Sequence, residues 1–542
     1  MDLTLSKIKL FLSGKAATLA ILLFVIGGRI IHLVFLFNIR ADRSHQMLAT
    51  HNLVTGHGIS KAFVLPVNLS AIVYEPLVYW PPGYSLLLSP FYVLFNHNYI
   101  AAGLTLDILC AIALIFITRK ILKIFNVPAY QANLFTLLTG FVLYPFFIKP
   151  SSDAIAITFF LAALCSNFTL LRSTGNHWVQ KAVCTGICLV ASASMKFLYM
   201  PLTLIVPIFL IIKGFADKNT TLKKAGIISL LIVSVGLLSL IGYQKSVSGA
   251  TTYIAQTTQG IFTNNLISTY PTIPATFISP ETIGLALHQP YEQGTLIYRL
   301  LQYIHLLLLL TLLTFGPWFI YKNGFRNKSV SSSFFCLLFF LTLSVTFILS
   351  VLSVKFAKEF GVWTYVQEAR YYGLITILIQ LSVFVFYQYY KVKNYRFIKY
   401  CFCPFLFLFL PEMFRGVLFA VNRITNFKKE EYGWQTDHRY QQFAHAIIER
   451  EQQKNPIKHI AFAGSSPYMN NRICLYSHIP LLKEVDKINN LSSLNTKTSV
   501  LLLVALREDA LKDFAAFLSL KGKHDEGQFG GYYFYTVYVA PH

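Results

Sequence analysis

Recurring apolar runs constrain the fold of this chain more than any other feature. Runs of about 20 residues, the length that crosses a hydrocarbon core of about 30 Å, recur from about residue 16 to about residue 420. Only 13% of the 542 residues are charged, against roughly 25% in soluble proteins. The sequence therefore predicts a polytopic helical membrane protein with about eleven spans, near residues 16–38, 98–118, 130–148, 154–171, 182–200, 201–213, 225–243, 300–320, 333–354, 371–389 and 400–421.

Lysine and arginine collect in alternate loops between these runs, for example at Arg119 and Lys120 and again at Lys213 and Lys218. Because cytoplasmic loops carry such an excess, we expect the N-terminus inside and, with an odd number of spans, the C-terminus outside. The first run is long and has no small-residue cleavage site after it, so we interpret it as a span and not as a signal peptide. The net charge of +23 is dispersed through the loops, which argues against nucleic acid as a partner.

This topology divides the chain into a membrane domain, residues 1–425, and a C-terminal domain, residues 430–542. The membrane domain carries two long exterior loops, at 39–97 and 244–299. In the C-terminal segment, β-type runs such as VLLLVAL and YYFYTVYV are separated by a helical stretch, which is typical of a small extracytoplasmic α/β domain. Most of the eight cysteines lie in or at apolar spans, so neither a disulfide framework nor a thiol metal cluster is indicated.

The stretch from Asp42 to Tyr84 is polar, lies between apolar spans and carries two carboxylates. Asp42 is followed by the pattern of an amphipathic surface helix in which Met47 and Leu48 would face lipid, and an N-cap role for Asp42 is equally consistent. Glu75 stands among apolar and aromatic residues ahead of a Pro-Pro-Gly corner that defines a turn. Its alternative interpretation is a solvated glutamate at the membrane interface.

Further charged residues stand at or near the ends of later spans. Asp153 begins one span, either as a site carboxylate or as an N-cap. Arg370 lies beside Tyr371 at the start of another, either as a ligand of a lipid phosphate or as a snorkelling arginine. Asp107 and Lys196 lie in or close to apolar runs, where an ionisable group costs about 2.5–3.5 kcal/mol. The last two are candidates for a functional site or for a mutual ion pair.

The order of these features resembles the GT-C superfamily of integral membrane glycosyltransferases, in particular bacterial members of glycosyltransferase family 39. Such proteins have an early Asp in the first exterior loop, then an Asn-Leu segment with two glycines, then PPGY followed by leucines. Here the same order is Asp42, then NLVTGHG at residues 52–58, then PPGYSLLL at residues 81–88. Asp153 follows a serine where relatives commonly have Ser-Glu, and Arg370 with Tyr371 matches a late Arg-Tyr pair.

The resemblance implies a GT-C-type fold and an enzyme that moves a sugar from a polyprenyl-phosphate donor to a lipid, glycan or protein acceptor. Transfer would take place at the exterior, periplasmic face of a bacterial plasma membrane and would invert the anomeric centre. By the same resemblance Asp42 is the general base, and Arg370, with Lys196 second, holds the donor phosphate. The other substrate-binding candidates are Glu75, Tyr84, Asp153 and Tyr371.

Metal dependence and the class of activity leave alternatives open. Many relatives carry two adjacent acids where this chain has Asp42 and Arg43, which puts a two-carboxylate metal site in doubt, and no cofactor is certain. Asp42, His45 and Glu75 are the candidate ligands for a divalent metal. The competing hypothesis is a flippase or transporter of lipid-linked sugars, although the two halves show no clear repeat. A structural subunit, the third hypothesis, predicts that Asp42 and Arg370 tolerate alanine.

Overall fold

The computed structural model of the chain describes residues 10–37, 39, 41–148, 152–172, 175, 177–249, 270–292, 294–319, 321, 329–359, 368–392, 402, 406–426, 433–454, 457, 459–465, 474–475 and 478–541. The chain divides into two compact units. The first unit joins residues 1–35 to residues 107–428, and the second joins residues 36–106 to residues 429–542. The sequence predicted two consecutive domains, 1–425 and 430–542, whereas the structure groups residues 36–106 with the C-terminal residues.

The described helices are, in chain order, α1 (Lys15–Leu36), α2 (Ala41–Val54), α3 (Gly83–Leu94), α4 (Tyr99–Ile124), α5 (Ala129–Gly140), α6 (Pro145–Ile148), α7 (Ser152–Arg172), α8 (Trp178–Met195), α9 (Tyr199–Ala216), α10 (Thr220–Ser248), α11 (Thr272–Ala275), α12 (Pro280–Leu287), α13 (Leu296–Phe319), α14 (Val330–Glu359), α15 (Gly373–Val392), α16 (Leu410–Thr425), α17 (Gly433–Lys454) and α18 (Ala515–Leu518). Among these described helices, nine are long and apolar enough to cross a membrane: α1, α4, α7, α8, α9, α10, α13, α14 and α15 with the 3₁₀ turn before it. They coincide with nine of the predicted spans. The predicted class, a polytopic helical membrane protein with a small C-terminal α/β domain, is confirmed.

The predicted span near 130–148 is instead a broken helix. α5 ends at Gly140 and the short α6 begins at Pro145, so neither piece has the roughly 20 residues that a span needs. The break leaves backbone carbonyls inside the unit without helical hydrogen bonds, and Arg29 of α1 donates hydrogen bonds to two of them. Its guanidinium donates to the Val142 carbonyl at 2.6 Å and to the Thr139 carbonyl at 3.1 Å. A buried arginine thus caps the interrupted helix, as an orphaned helix end requires.

The predicted span near 400–421 is described only in part, because residues 401 and 403–405 lie outside the described residues. The helix there, α16, is held by polar contacts to α12. Glu412 Oε1 accepts hydrogen bonds from the Ser279 amide at 2.7 Å and from Thr282 Oγ1 at 2.5 Å. Arg415 Nη2 lies 2.8 Å from Glu281 Oε2. These contacts anchor the end of the predicted 244–299 loop, whose residues 250–269 and 293 lie outside the described residues.

The second unit is built on one seven-stranded sheet with the strand order β2-β1-β4-β3-β5-β7-β6. The strands are β1 (Ser60–Leu65), β2 (Asn68–Pro76), β3 (His459–Gly464), β4 (Leu481–Leu482), β5 (Val500–Arg507), β6 (Lys523–Phe529) and β7 (Tyr532–Val539). β1 pairs in parallel with β4, so the hairpin of the first exterior loop extends the C-terminal sheet. Val64 of the hairpin and Val500 of the C-terminal segment belong to one hydrophobic core. The predicted exterior loop and the predicted C-terminal domain are therefore one folded unit.

Helix α2 differs from the expected surface helix. Met47, expected to face lipid, is fully buried, and so are the polar Arg43, Gln46 and Thr50. The physical reason is that α2 packs against α3 and β1, and Ser85 Oγ of α3 donates to the backbone carbonyl of Gln46 at 2.8 Å. The expectation that Met47 faces lipid was wrong.

Candidate functional site

Three helix ends of the first unit bring an acid and two bases together. Asp153 stands in the first turn of α7, Lys196 caps the C-terminal end of α8, and Arg370 lies in the 3₁₀ turn Ala369–Tyr372 that leads into α15. An acid at a helix N-terminus and a base at a helix C-terminus are each favoured by the helix dipole. The helix dipole therefore supports Asp153 and Lys196 locally, before any contact between them is considered, but it does not support Arg370, which precedes the N-terminus of α15.

Asp153 is the centre of this group, which we call the ion cluster: Asp153, Lys196, Glu368, Arg370 and Tyr371. The Asp153 side chain is 1% exposed and pairs with both bases: Lys196 Nζ bonds to Oδ1, and Arg370 Nη1 lies 3.7 Å from Oδ2. Lys196 and Arg370 are 15% and 8% exposed. A carboxylate this deeply buried requires paired charges, because an isolated buried charge costs several kcal/mol.

Tyr371 provides an aromatic surface for both cations. Lys196 Nζ lies 4.2 Å from the centre of its ring and Arg370 Cζ lies 5.0 Å from the same point. Arg370 Nη2 also donates to the Tyr371 hydroxyl at 3.2 Å. A cation over an aromatic ring gains roughly 0.5–1 kcal/mol at exposed sites and more where water is excluded. The ring therefore fixes the orientation of two side chains that would otherwise be flexible.

Arg370 has a second acidic neighbour, Glu368. The Glu368 Oε2 atom lies 2.8 Å from Arg370 Nε, and the Glu368 side chain is 24% exposed, far more than that of Asp153. The guanidinium is thus shared between a buried carboxylate and a more accessible one. An arginine fork can hold carboxylate or phosphate oxygens in the same geometry, so the Glu368 position is one that an arriving phosphate could take over.

The sequence analysis named four of the five cluster residues, and the structure brings these four together. Lys196, however, pairs with Asp153 and not with Asp107, which was the partner considered from the sequence. Asp107 is buried within α4, one turn before Cys110. The reason is topological: α7 and α8 are consecutive antiparallel helices, so the start of α7 and the end of α8 meet at the same end of the pair.

The remaining candidates belong to the second unit. Asp42 is partly buried in the first turn of α2, within the helix and not at its N-cap position, and Arg43 beside it lies 4.4 Å from the centre of the Phe37 ring. Tyr84 is fully buried at the start of α3. His45 stacks on Trp80 with ring centres 5.1 Å apart. Burial, with a smaller effect of the Lys61 charge, holds the pKa of His45 well below its ordinary value, so its imidazole is neutral.

Glu75 lies on β2 in an exposed ion pair with Lys483, with the two side chains 37% and 46% exposed. The hydrogen bond from Lys483 to Glu75 raises the pKa of Lys483. Across the described residues, no group of three or more His, Cys, Asp or Glu side chains could hold a metal ion. Among the described residues, Asp42, His45 and Glu75 therefore do not come together as a three-residue metal-binding group.

Two features escaped the sequence analysis. Arg29, buried in the first span, caps the broken helix. The sequence could have indicated this residue, because a charge in the middle of an apolar run is costly and marks a structural or functional role. A group of histidines in the second unit, His51 with His97 and His478, is the other. His51 and His97 both precede the second predicted span, whereas His478 lies in the C-terminal segment. No spacing pattern in the sequence therefore indicates that the three histidines meet.

Comparisons with known proteins show likenesses of fold only. No family model and no curated protein matches the sequence. The oligosaccharyltransferase of Archaeoglobus fulgidus, solved with Zn and sulfate, has a TM-score of 0.46 and 11% identity, over 89% of this chain and 67% of that one. ArnT from Cupriavidus metallidurans, bound to undecaprenyl phosphate, has a TM-score of 0.46 and 10% identity, over 96% and 98%. Both are GT-C superfamily proteins, but with TM-scores below 0.5 the function of this chain rests on its own residues.

Proposed function

We propose that this chain is a membrane glycosyltransferase that takes a sugar from a polyprenyl-phosphate donor and passes it to an acceptor hydroxyl. The observation that carries the proposal is the ion cluster, in which Lys196 and Arg370 converge on one buried carboxylate and one tyrosine ring at the ends of apolar helices. Two oriented cations at such a position suit the phosphate of a lipid whose tail stays in the membrane.

In the proposed reaction the acceptor oxygen bonds to the anomeric carbon while the bond from that carbon to the phosphate oxygen breaks. The acceptor proton passes to the Asp42 carboxylate, and polyprenyl phosphate leaves with the bonding electrons. One displacement of this kind inverts the anomeric centre. A positioned carboxylate base contributes roughly 10²–10⁴-fold to such a step.

Arg370 and Lys196 stabilise the negative charge that develops on the departing phosphate. In this proposal the phosphate displaces the accessible Glu368 carboxylate from Arg370, while the buried Asp153 keeps both cations in place. Asp153 is thus a positioning residue, and Tyr371 is a second one.

The distribution of basic residues supports an exterior location for this chemistry. Asp153 and Lys196 lie at one end of the α7–α8 pair, while Arg172 ends α7 and Lys181 lies in the first turn of α8, at the other end. Basic residues favour the cytoplasmic side. In this proposal the ion cluster therefore faces the exterior of a bacterial plasma membrane, where a lipid-linked sugar is presented.

The test is a transfer assay with purified full-length protein in nanodiscs and a panel of polyprenyl-phosphate sugars, with products identified by mass. The proposal expects a glycosylated product or donor hydrolysis from one member of the panel. Asp42→Asn and Arg370→Gln should each lower the rate by at least about 10²-fold. Arg415→Gln is the matched control, because Arg415 also pairs with glutamates in the first unit but lies outside the ion cluster.

Two outcomes would overturn the proposal. Folded Asp42→Asn and Arg370→Gln proteins that transfer at the wild-type rate would remove both assigned roles. In reconstituted liposomes, net movement of the lipid-linked sugar across the bilayer without any new glycosidic product would instead support the transporter hypothesis. Asp42→Asn tests the assigned base, and Arg370→Gln tests the assigned phosphate site.

A further inference from the structure

The second unit contains a cavity of about 150 Å³ that the proposed transfer reaction does not use. Its lining comes from α2, the first hairpin and the segment before β4. The polar side chains in that lining are His51, Asn52, Thr55, His57, Lys61, Tyr74 and His478, besides the Cys474 thiol. A cavity needs only roughly 10–15 Å³ of such volume to hold one water molecule, so this cavity has ample room for a phosphate-sized group.

The chemistry of the lining favours an anion. Three imidazoles and one ammonium face the cavity, and none of the described lining residues is an acid. Cys474, also in the lining, is a neutral thiol, because burial raises its pKa to about 12. Binding sites of this kind combine a mainly apolar wall with a few converging polar groups, and here the described lining offers hydrogen-bond donors and one ammonium but no carboxylate.

Lys61 lacks a carboxylate of its own in this cavity. It stands opposite Glu75 in the β1–β2 register, but Glu75 makes its ion pair with Lys483. Burial lowers the pKa of Lys61 to about 8, and the nearby Glu75 only partly offsets this. A buried cation is stabilised by a paired anion, so a bound anion would supply the charge that the lining does not.

The histidines are held in defined orientations. His51 and His478 stack with ring centres 4.0 Å apart at an interplanar angle of 14°, and His51 Nδ1 lies 3.0 Å from the Tyr92 hydroxyl. His57 stacks on Tyr74 at 3.9 Å. His478 has a φ of 57°, a left-handed conformation that is uncommon for residues other than glycine. Strained backbone of this kind concentrates at ligand sites.

We propose that this cavity binds a phosphate-type anion, with Lys61 as the counter-ion and the imidazoles of His51, His57 and His478 as hydrogen-bond donors. The anion is inorganic phosphate or a phosphate monoester carried by a soluble or a lipid molecule. This site would be additional to the donor-phosphate site proposed at Arg370, and it uses none of the residues assigned to transfer.

The experiment is a calorimetric titration with inorganic phosphate of the full-length protein in nanodiscs, in a buffer that contains no phosphate. Because Arg370 is proposed to bind phosphate as well, the titration is repeated on Arg370→Gln, in which binding to the cavity should persist. In that background Lys61→Met should weaken binding at least about tenfold, since a hydrogen bond to a charged group is among the stronger ones. Lys512→Met, which alters an exposed lysine of the same unit that does not line the cavity, should leave the affinity within about twofold.

His57→Phe is the second variant, in case Lys61→Met does not fold. His57 is exposed at the cavity mouth, and phenylalanine keeps the stacking on Tyr74 but removes the ring nitrogens, so binding should weaken severalfold while the protein stays folded. Competition then separates the sources: glucose 6-phosphate displaces inorganic phosphate if the ligand is soluble, and phosphatidic acid in the nanodisc does so if it is a lipid. Absence of saturable binding to Arg370→Gln, or equal binding by Arg370→Gln with and without Lys61→Met, would overturn the proposal without affecting the transfer hypothesis.

Discussion

The ion cluster of the first unit and the histidine cavity of the second both hold basic side chains away from solvent, but they differ in how the positive charge is balanced. In the ion cluster, Lys196 and Arg370 are buried against Asp153, and Glu368 adds a further negative charge. In the cavity, Lys61 and the three histidines share a lining in which the described residues include no acid. Paired buried charges hold their arrangement without a ligand, whereas a basic lining is completed only when an anion arrives.

The difference separates positioning from binding. In the ion cluster, a ligand has to compete with Glu368 for the guanidinium of Arg370. Breaking this ion pair costs free energy and weakens the net binding of the ligand. In the cavity, none of the described lining residues is a carboxylate that an anion has to displace. We therefore expect the cluster to be sensitive to loss of its carboxylate and the cavity to be sensitive to protonation of its imidazoles.

Asp153→Asn should have the largest effect. The change leaves Lys196 and Arg370 buried without their shared carboxylate, and removal of one partner from a buried ion pair typically costs about 3–5 kcal/mol. The free energy of unfolding, measured in detergent by denaturant titration, should fall by that amount. A loss below about 1 kcal/mol, the range of an exposed pair, would show that Asp153 does not hold the cluster together.

Arg370→Lys should have the next largest effect, on transfer more than on stability. Lysine keeps the positive charge near Asp153 but loses the planar fork that binds two phosphate oxygens at once. We expect kcat/KM for the lipid donor to fall about 10²-fold with little change in the unfolding free energy. Arg415→Lys, a matched substitution outside the ion cluster, should stay close to the wild-type rate. Equal rates for wild type and Arg370→Lys would mean that the fork does not hold the phosphate.

Acid should destabilise the second unit through His51. Burial, with the nearby His478, His97 and His57, lowers the pKa of His51 from 6.5 to about 4. The unfolded chain then binds more protons than the folded chain between these values, so stability is lost as the pH falls from about 6.5 to about 4. His51→Gln, which keeps a polar side chain opposite Tyr92, should show a shallower loss over that range, measured by thermal unfolding at fixed ionic strength.

His524→Gln is the control for this pH dependence, because His524 is an exposed residue on β6 of the same unit. Its unfolding curve should follow that of the wild type at every pH. If His51→Gln also follows the wild type, the protonation of His51 does not contribute to acid sensitivity. In that case the ion cluster and the cavity would no longer be expected to differ in how acid affects the stability of the protein.

Much of the fold could be predicted from local sequence. Apolar runs near 20 residues predicted nine membrane-type helices correctly, because burial in lipid depends on length and composition alone. The same criterion failed at 130–148, where hydropathy could not detect the break between Gly140 and Pro145 or the capping contact from Arg29. Alternating apolar residues indicated the C-terminal strands, but not that β1 of the first loop joins their sheet.

The candidate site shows the same limit. Asp153, Lys196 and Arg370 could be singled out because a charge at the edge of an apolar run is expensive and therefore informative. Their partners could not, since pairing depends on which helix ends meet in the fold. The histidine cavity was missed because His51 and His478 lie in polar segments, where a histidine costs little and carries no signal by itself. Long-range pairing is thus the part that local patterns leave undetermined.

Glu75→Gln should have the smallest effect and sharpens the contrast with Asp153. Glu75 was a candidate ligand from the sequence, but it forms an exposed pair with Lys483, and exposed pairs contribute about 0.2–1 kcal/mol that salt screens further. We expect the unfolding free energy to fall by less than 1 kcal/mol, and by less still at 0.5 M NaCl, whereas the loss in Asp153→Asn should persist at that salt concentration. A large, salt-resistant loss in Glu75→Gln would instead place Glu75 with the buried charges, because solvent-exposed ion pairs do not resist screening.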